Sequence, residues 1–181
     1  MSYFSILVLA FALSVDAGAV SFSYGIKYQN ERMKNALLLG IYTGVFQGIM
    51  PVLGYFAATP VKNYIQPYSK VIIFTIFFYL GIKFISEAFQ KDRQKELCIS
   101  TKCLILIGIA TSIDAFSAGI TLLLSGNRIF KPALLISFIT FVNAYTAFYI
   151  GGKIRHKTVK WPEVLAGVLL IMLGIKGLDI L

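Results

Sequence analysis

Charge is what this sequence has least of. Only 14% of its 181 residues are charged, against roughly 25% in soluble domains. Acids are the scarcer sign, with 8 Asp and Glu against 17 Lys and Arg, and there are two cysteines and a single histidine. Each shortage excludes something. His156 lies in a basic stretch and reads as a surface residue. There is no Walker-type phosphate loop, no Ser-His-Asp set and no Cys or His metal box, so neither an enzyme nor a resident cofactor is expected. Cys98 and Cys103 flank the loop before the fourth apolar segment. Free thiols are expected there, since a disulfide would need an oxidising side. Long polar stretches are missing too, which leaves no room for a soluble domain or a low-complexity tail.

What is abundant is apolar. Hydrophobic residues make up 57% of the chain, and the mean hydropathy is +0.78. That composition belongs to an integral membrane protein. A bilayer-spanning helix needs about 20 apolar residues, and six segments supply them: 3–26, 35–58, 69–90, 103–125, 132–152 and 162–180. Short polar connections, 27–34, 59–68, 91–102, 126–131 and 153–161, join them. The first segment is expected to be a retained span and not a signal peptide. Met1-Ser2-Tyr3 carries no basic residue, and the small-residue motif that mimics a cleavage site recurs far downstream.

Lys and Arg mark the orientation. The first, third and fifth connections hold 11 of them, and the opposite side holds 5. The positive-inside rule therefore predicts odd loops in the cytoplasm and both termini outside. The site of residence implied is the bacterial plasma (inner) membrane.

One motif is written twice. Residues 12–17 read Ala-Leu-Ser-Val-Asp-Ala, and residues 110–115 read Ala-Thr-Ser-Ile-Asp-Ala. Leu80-Gly81-Ile82-Lys83 recurs as Leu173-Gly174-Ile175-Lys176, and Gly54 pairs with Gly152 at the spacing that relates Asp16 to Asp114. Each half has three spans, an odd number, so the halves must point in opposite directions. The expected fold is all-α and integral to the membrane, with six transmembrane helices as a 3+3 inverted repeat. It forms one domain, 1–181, with halves 1–90 and 103–181 joined by the cytoplasmic loop 91–102. Inverted repeats of this kind build secondary transporters with a midplane site.

Asp16 and Asp114 are the residues to explain. A charged side chain at a span's centre costs ~2.5–3.5 kcal/mol on insertion scales and is by default a functional candidate. Ser14, Ser112 and Thr111 add oxygens beside them. Two carboxylates with hydroxyl, carbonyl or amide oxygens suit a hard cation such as Mn²⁺, Mg²⁺ or Ca²⁺. The alternative is that each Asp is protonated, or bonds a neighbouring helix. In span two, Gly40, Gly44 and Gly48 form a ridge for close helix packing. Gln47 and Thr43 flank that ridge, and Pro51 frees a carbonyl near residue 47. Span five carries Thr140, Asn143 and Thr146, with Asn143 as ligand or interhelical bond. The predicted metal set is Asp16, Asp114, Ser14, Ser112, Gln47 and Asn143. Lys83 and Glu87 read as a helix-end ion pair, Glu163 as a first-turn acid, Lys176 and Asp179 as solvated, and Trp161 and Tyr3 as interface anchors.

These residues carry a resemblance. The doubled Asp motif, the stretch from Gly44 through Gln47 and Pro51 to Gly54, and Glu163-Val-Leu-Ala-Gly167 resemble the MntP manganese-efflux family along essentially the whole chain. The resemblance implies export of Mn²⁺ from the bacterial cytoplasm, in a fold related to amino-acid exporters of the LysE type. The family's two membrane aspartates fall on Asp16 and Asp114. Two places depart from its pattern: Gly18, where a bulkier residue is common, and Asn143-Ala144, where an apolar residue and a small hydroxyl are expected. The expected cargo is Mn²⁺ or a related divalent cation. Proton exchange at the same carboxylates is open as the energy source. The rivals are an exporter of a small organic cation or amino acid, and a non-transporting membrane protein like the sporulation branch of the YtaF type. No nucleic acid partner is expected.

Overall fold

The computed structural model describes residues 3–28, 30–89 and 99–153, with positions 168, 171, 172 and 175 beyond them. The elements in order are α1 (Tyr3–Lys27), α2 (Arg32–Ala58), a one-turn α3 (Lys62–Ile65) between two 3₁₀ turns (Thr59–Val61 and Gln66–Tyr68), α4 (Ser69–Phe89), α5 (Thr101–Ala110), α6 (Ile113–Leu124) and α7 (Phe130–Lys153). No strand occurs among the described residues. Three helices are long and apolar enough to cross a membrane, and the bent pair α5–α6 makes a fourth. α4 occupies the expected third span. Most of the sixth span, including Glu163, Lys176 and Asp179, lies outside the described residues, as do Trp161, His156 and most of the central loop. Lys83 and Glu87 sit in α4, but their side chains lie outside the described residues too.

Large apolar side chains cover the outside of the bundle. Leu53, Phe56, Val71, Tyr79, Leu134 and Phe138 are all more than half exposed. In water such a surface would be an aggregation liability, whereas in lipid it is the ordinary outer face. The interior is built differently, from small residues that bring backbones together. α1 packs most extensively on α7, and α2 packs on both α7 and α6. Gly40 faces Phe141, and Gly44 and Gly48 face Ser137, so the ridge on α2 is a packing surface and the two helices run antiparallel.

Two further crossings are closer still. At the first, Gly25 of α1 meets the carbonyl of Phe148, and Gly151 of α7 meets that of Phe22. At the second, Gly119 of α6 meets the carbonyl of Pro51, and Gly54 of α2 meets that of Phe116. At all four glycines a Cβ would fall well inside contact distance of backbone. Gly152, at the motif spacing from Gly54, is loosely packed: a Cβ there would meet nothing closer than 3.5 Å.

Two aliphatic and aromatic clusters fill the remaining interior. One gathers Leu9, Leu13, Ile73, Phe77, Leu122 and Ile136 around α1, α4, α6 and α7. The other gathers Tyr24, Leu39, Leu104 and Phe148, with Tyr42, Tyr145 and Tyr149 against it.

Two expectations need correction, at the fourth span and at Cys103. Span 103–125 is not one helix: it breaks at Thr111–Ser112 with a bend of 42°. Thr111 Oγ1 donates to the carbonyl of Ile107 at 2.9 Å, and Ser112 Oγ donates to that of Gly108. Consecutive hydroxyls that bond back to the preceding turn offer the backbone an alternative to the helix and bend it. The connection 59–68 is helical in short turns, because each proline stands near the start of a 3₁₀ turn, where its missing N–H costs nothing. Cys103 is disulfide-bonded. The free-thiol expectation rested on the oxidising side that a disulfide needs. Cys98 lies outside the described residues.

Candidate functional site

Each aspartate uses its own chain in the same way. Oδ1 of Asp16 accepts the N–H of Ala17 at 2.6 Å, and Oδ1 of Asp114 accepts that of Ala115 at 2.8 Å. The Asp-Ala doublet of the repeat is therefore a local hydrogen-bonded unit. Their surroundings differ. Asp114 is only 3% exposed and sits in the first turn of α6, where the helix dipole favours a negative charge. Asp16 is half-buried and lies in the middle of the unbroken α1.

Gln47 joins the two motifs. It is fully buried on α2, and its Nε2 donates to Leu13 O at 2.8 Å and to Thr111 O at 3.0 Å. Each of those carbonyls stands three residues before an aspartate. Two oxygens sharing one donor nitrogen lie within about 6 Å of each other, given ordinary hydrogen-bond lengths. α2 thereby pins an α1 turn and the α5–α6 break side by side. The amide orientation is forced. Both partners are acceptors, so Oε1 must point elsewhere. It is buried with no hydrogen-bond partner, as are the hydroxyls of Ser21 and Thr140. Thr43, one turn before Gln47, spends its hydroxyl on Leu39 O at 2.8 Å.

Asn143 enters from α7. Its Nδ2 donates to both Ser14 O, at 3.0 Å, and Ser14 Oγ, at 2.9 Å, and Ser14 Oγ in turn donates to Phe11 O at 2.7 Å. Gly18, one turn on, leaves the space that the Asn143 amide fills. Positions 14 and 18 leave α1 about 160–200° away from position 16, at 3.6 residues per turn. Ser14 and Asn143 thus engage each other on one face of α1, and Asp16 departs from another. Of the six predicted residues, the structure joins Gln47 to the backbone of both aspartate turns and Asn143 to Ser14. Ser112 stands at the break with its proton committed to Gly108.

Sequence reasoning missed the parts played by Leu13 and Thr111, which contribute backbone and not side chain, and the buried hydroxyl of Ser21. For Thr111 a signal existed: the second motif copy has Thr-Ser before its Ile-Asp where the first has Leu-Ser. Among the described residues no cluster of three or more His, Cys, Asp or Glu side chains comes together, so any cation site here depends on neutral oxygens beside the aspartates. A surface cavity of about 610 Å³ lies elsewhere, over residues 31–38 at the start of α2.

The comparisons with known proteins agree with one another. Residues 30–178 match the family model described as "Putative manganese efflux pump". The chain is 40% identical over 172 residues to a protein of Aliarcobacter butzleri (strain RM4018) with the name "Putative manganese efflux pump MntP", covering 94% of this chain and 96% of the relative. It is 34% identical to proteins of the same name from two further organisms. With that of Methanocorpusculum labreanum the match covers 96% of this chain and 94% of the relative. With that of Methanosarcina mazei it covers 97% and 95%. No solved structure matches. The chain is a multi-pass membrane protein, and it belongs to the MntP family.

Proposed function

We propose that this protein exports Mn²⁺ from the cytoplasm as a secondary transporter, without catalysing a reaction, and that Asp16 and Asp114 bind the ion. The observation that carries the reading is the Gln47 amide, which holds the turns bearing both aspartates against each other. Two carboxylates balance one divalent charge, and the oxygens at hand are hard donors of the kind Mn²⁺ takes. The printed name of the relatives supports manganese as cargo. Close packing supports a bare ion over an organic cation. Ala17 and Ala115, beside the aspartates, are fully buried. Ser112 and Gln47 complete the shell in this reading. Ser14 and Asn143 hold α1 on α7.

The reading extends to two inverted halves that rock about the site. Phe22 and Gly25 of α1 meet Gly151 and Phe148 of α7, and Phe116 and Gly119 of α6 meet Gly54 and Pro51 of α2. The same three-residue steps recur with the halves exchanged, and the antiparallel α2–α7 contact lies between them, which supports the inverted arrangement. The basic odd loops support placing them on the cytoplasmic side of the plasma membrane, with both termini outside; the disulfide at Cys103, next to the third connection, favours the opposite side, and thiol labelling at the two turns decides.

The test replaces Asp16 or Asp114 by Asn. Shape is retained and the negative charge is lost. Each variant should accumulate normally, fail to protect cells from manganese, and fail to accumulate Mn²⁺ in inverted vesicles. Full protection by both variants at normal protein levels would refute the site.

A further inference from the structure

The most constrained polar side chain in the bundle is Gln47, and its two ends are in opposite situations. Its nitrogen is committed to the carbonyls of Leu13 and Thr111. Its oxygen is buried and has no hydrogen-bond partner. The amide cannot relieve this by flipping, because Oε1 would then face two carbonyl oxygens with no proton between them. Nor does the other half supply a second amide at the equivalent position, although Asn143 beside it bonds Ser14 alone. Pro51 and Gly54 correspond at the close crossings to Phe148 and Gly151, and the same step takes Gln47 to Ala144, a fully buried alanine. One amide therefore serves both aspartate turns.

We infer that Gln47 couples cation occupancy to the apposition of the two halves: its nitrogen holds the aspartate turns together, and its oxygen ligates the cation that they bind. This rests on the aspartate site proposed above and adds a division of labour within one side chain. An amide oxygen is a neutral hard donor of the kind that completes the shell of a divalent ion held by carboxylates. With the ion present, both ends of the amide are satisfied. With the ion gone, the oxygen is stranded in a buried site, which weakens the case for keeping the nitrogen where it is. Departure of the cargo thus favours letting go of Leu13 and Thr111, the contact that must loosen for the halves to move apart. Gln47 is in this account a positioning residue as well as a ligand.

Two substitutions separate its two ends. Gln47→Glu keeps an oxygen in place and adds charge, but an ionised carboxylate cannot donate to the two carbonyls. Gln47→Met keeps the volume and removes both donor and hard oxygen. The full chain in proteoliposomes is assayed for Mn²⁺ binding, by loss of the free-ion electron paramagnetic resonance signal, and for Mn²⁺ transport per folded molecule. Gln47→Glu should keep KM at or below the wild-type value and lower kcat at least tenfold. Gln47→Met should raise the dissociation constant at least tenfold and also lower kcat. A merely structural role would reduce the amount of folded protein without separating KM from kcat. Wild-type turnover in Gln47→Glu, or wild-type affinity in Gln47→Met, would overturn the inference. If Gln47→Glu does not fold, the affinity of Gln47→Met decides alone. Asp16→Asn and Asp114→Asn run beside them. If those bind Mn²⁺ normally, the aspartate site itself fails. If they lose it while Gln47→Met retains it, only the role of Gln47 fails.

Discussion

A Cβ on Gly18 would stand 3.1 Å from Nδ2 of Asn143, so the α1–α7 crossing at this level is closed by a glycine on one side and an amide on the other. Gly18 and Asn143 are therefore in direct contact across the two helices. The glycine makes room for the amide, and the amide fills the room with two hydrogen bonds to Ser14.

That contact predicts how Asn143 behaves. Interhelical hydrogen bonds in membrane proteins average about 0.6 kcal/mol and reach about 1.7. Asn143→Ala should lower the thermal stability of the purified protein by an amount in that range and leave Mn²⁺ affinity nearly unchanged, since Asp16 leaves α1 on another face. Unaltered stability with lost Mn²⁺ binding would return Asn143 to the ligand set.

The close crossings make a sharper claim. A methyl group on Gly119 would collide with the Pro51 carbonyl, and backbone cannot swing aside as a side chain can. Gly119→Ala should cost about 1–3 kcal/mol, the range for overpacking. Gly152→Ala, where nothing approaches closer than 3.5 Å, should be nearly neutral. Equal melting temperatures for the two variants would show that the crossing is looser than described.

Orientation is tested at two turns. In a chain whose own cysteines are replaced by serine, Arg128→Cys in the α6–α7 turn should react with an impermeant thiol reagent added outside intact cells. Glu31→Cys in the α1–α2 turn should react only after permeabilisation. The opposite pattern would reverse the direction of transport proposed here.

Much of this architecture is legible in the sequence because membrane helices obey few rules. Apolar runs mark the spans, the Gly40–Gly44–Gly48 ridge marks a packing face, and the doubled aspartates stand out because buried charge is costly. What is not legible is non-local. The break at Thr111–Ser112 looks, residue by residue, almost like the unbroken turn at Leu13–Ser14, and Gln47 reaches both from another helix. The second close crossing also begins two residues after Asp114, at Phe116, whereas the first begins six residues after Asp16, at Phe22. That is a shift of about one helical turn, or roughly 5.4 Å. Equal motif spacing therefore hides unequal placement of the carboxylates.

That inequality supports the last prediction. Asp16 and Asp114 carry the same charge, and a requirement for charge alone would treat them alike. Their surroundings do not. Asp114 is 3% exposed, stands two residues from a glycine-tight crossing, and has Oδ1 fixed by the Ala115 N–H. Asp16 is half-buried on a continuous helix, farther from its own crossing. Lengthening either side chain to Glu preserves charge and adds one methylene. At Asp114 that methylene must be packed into a buried site, and overpacking costs about 1–3 kcal/mol. It also pushes the carboxylate away from a cation whose bonds to oxygen tolerate only a few tenths of an ångström. At Asp16 the longer side chain can bend into the open side and bring its oxygens back. Asp16→Glu should therefore keep a substantial part of Mn²⁺ transport into inverted vesicles, normalised to protein amount, and Asp114→Glu should lose at least about tenfold, the effect of 1.4 kcal/mol. Equal losses in the two variants would mean that the carboxylates work in equivalent settings, and the asymmetry described here would have no bearing on transport.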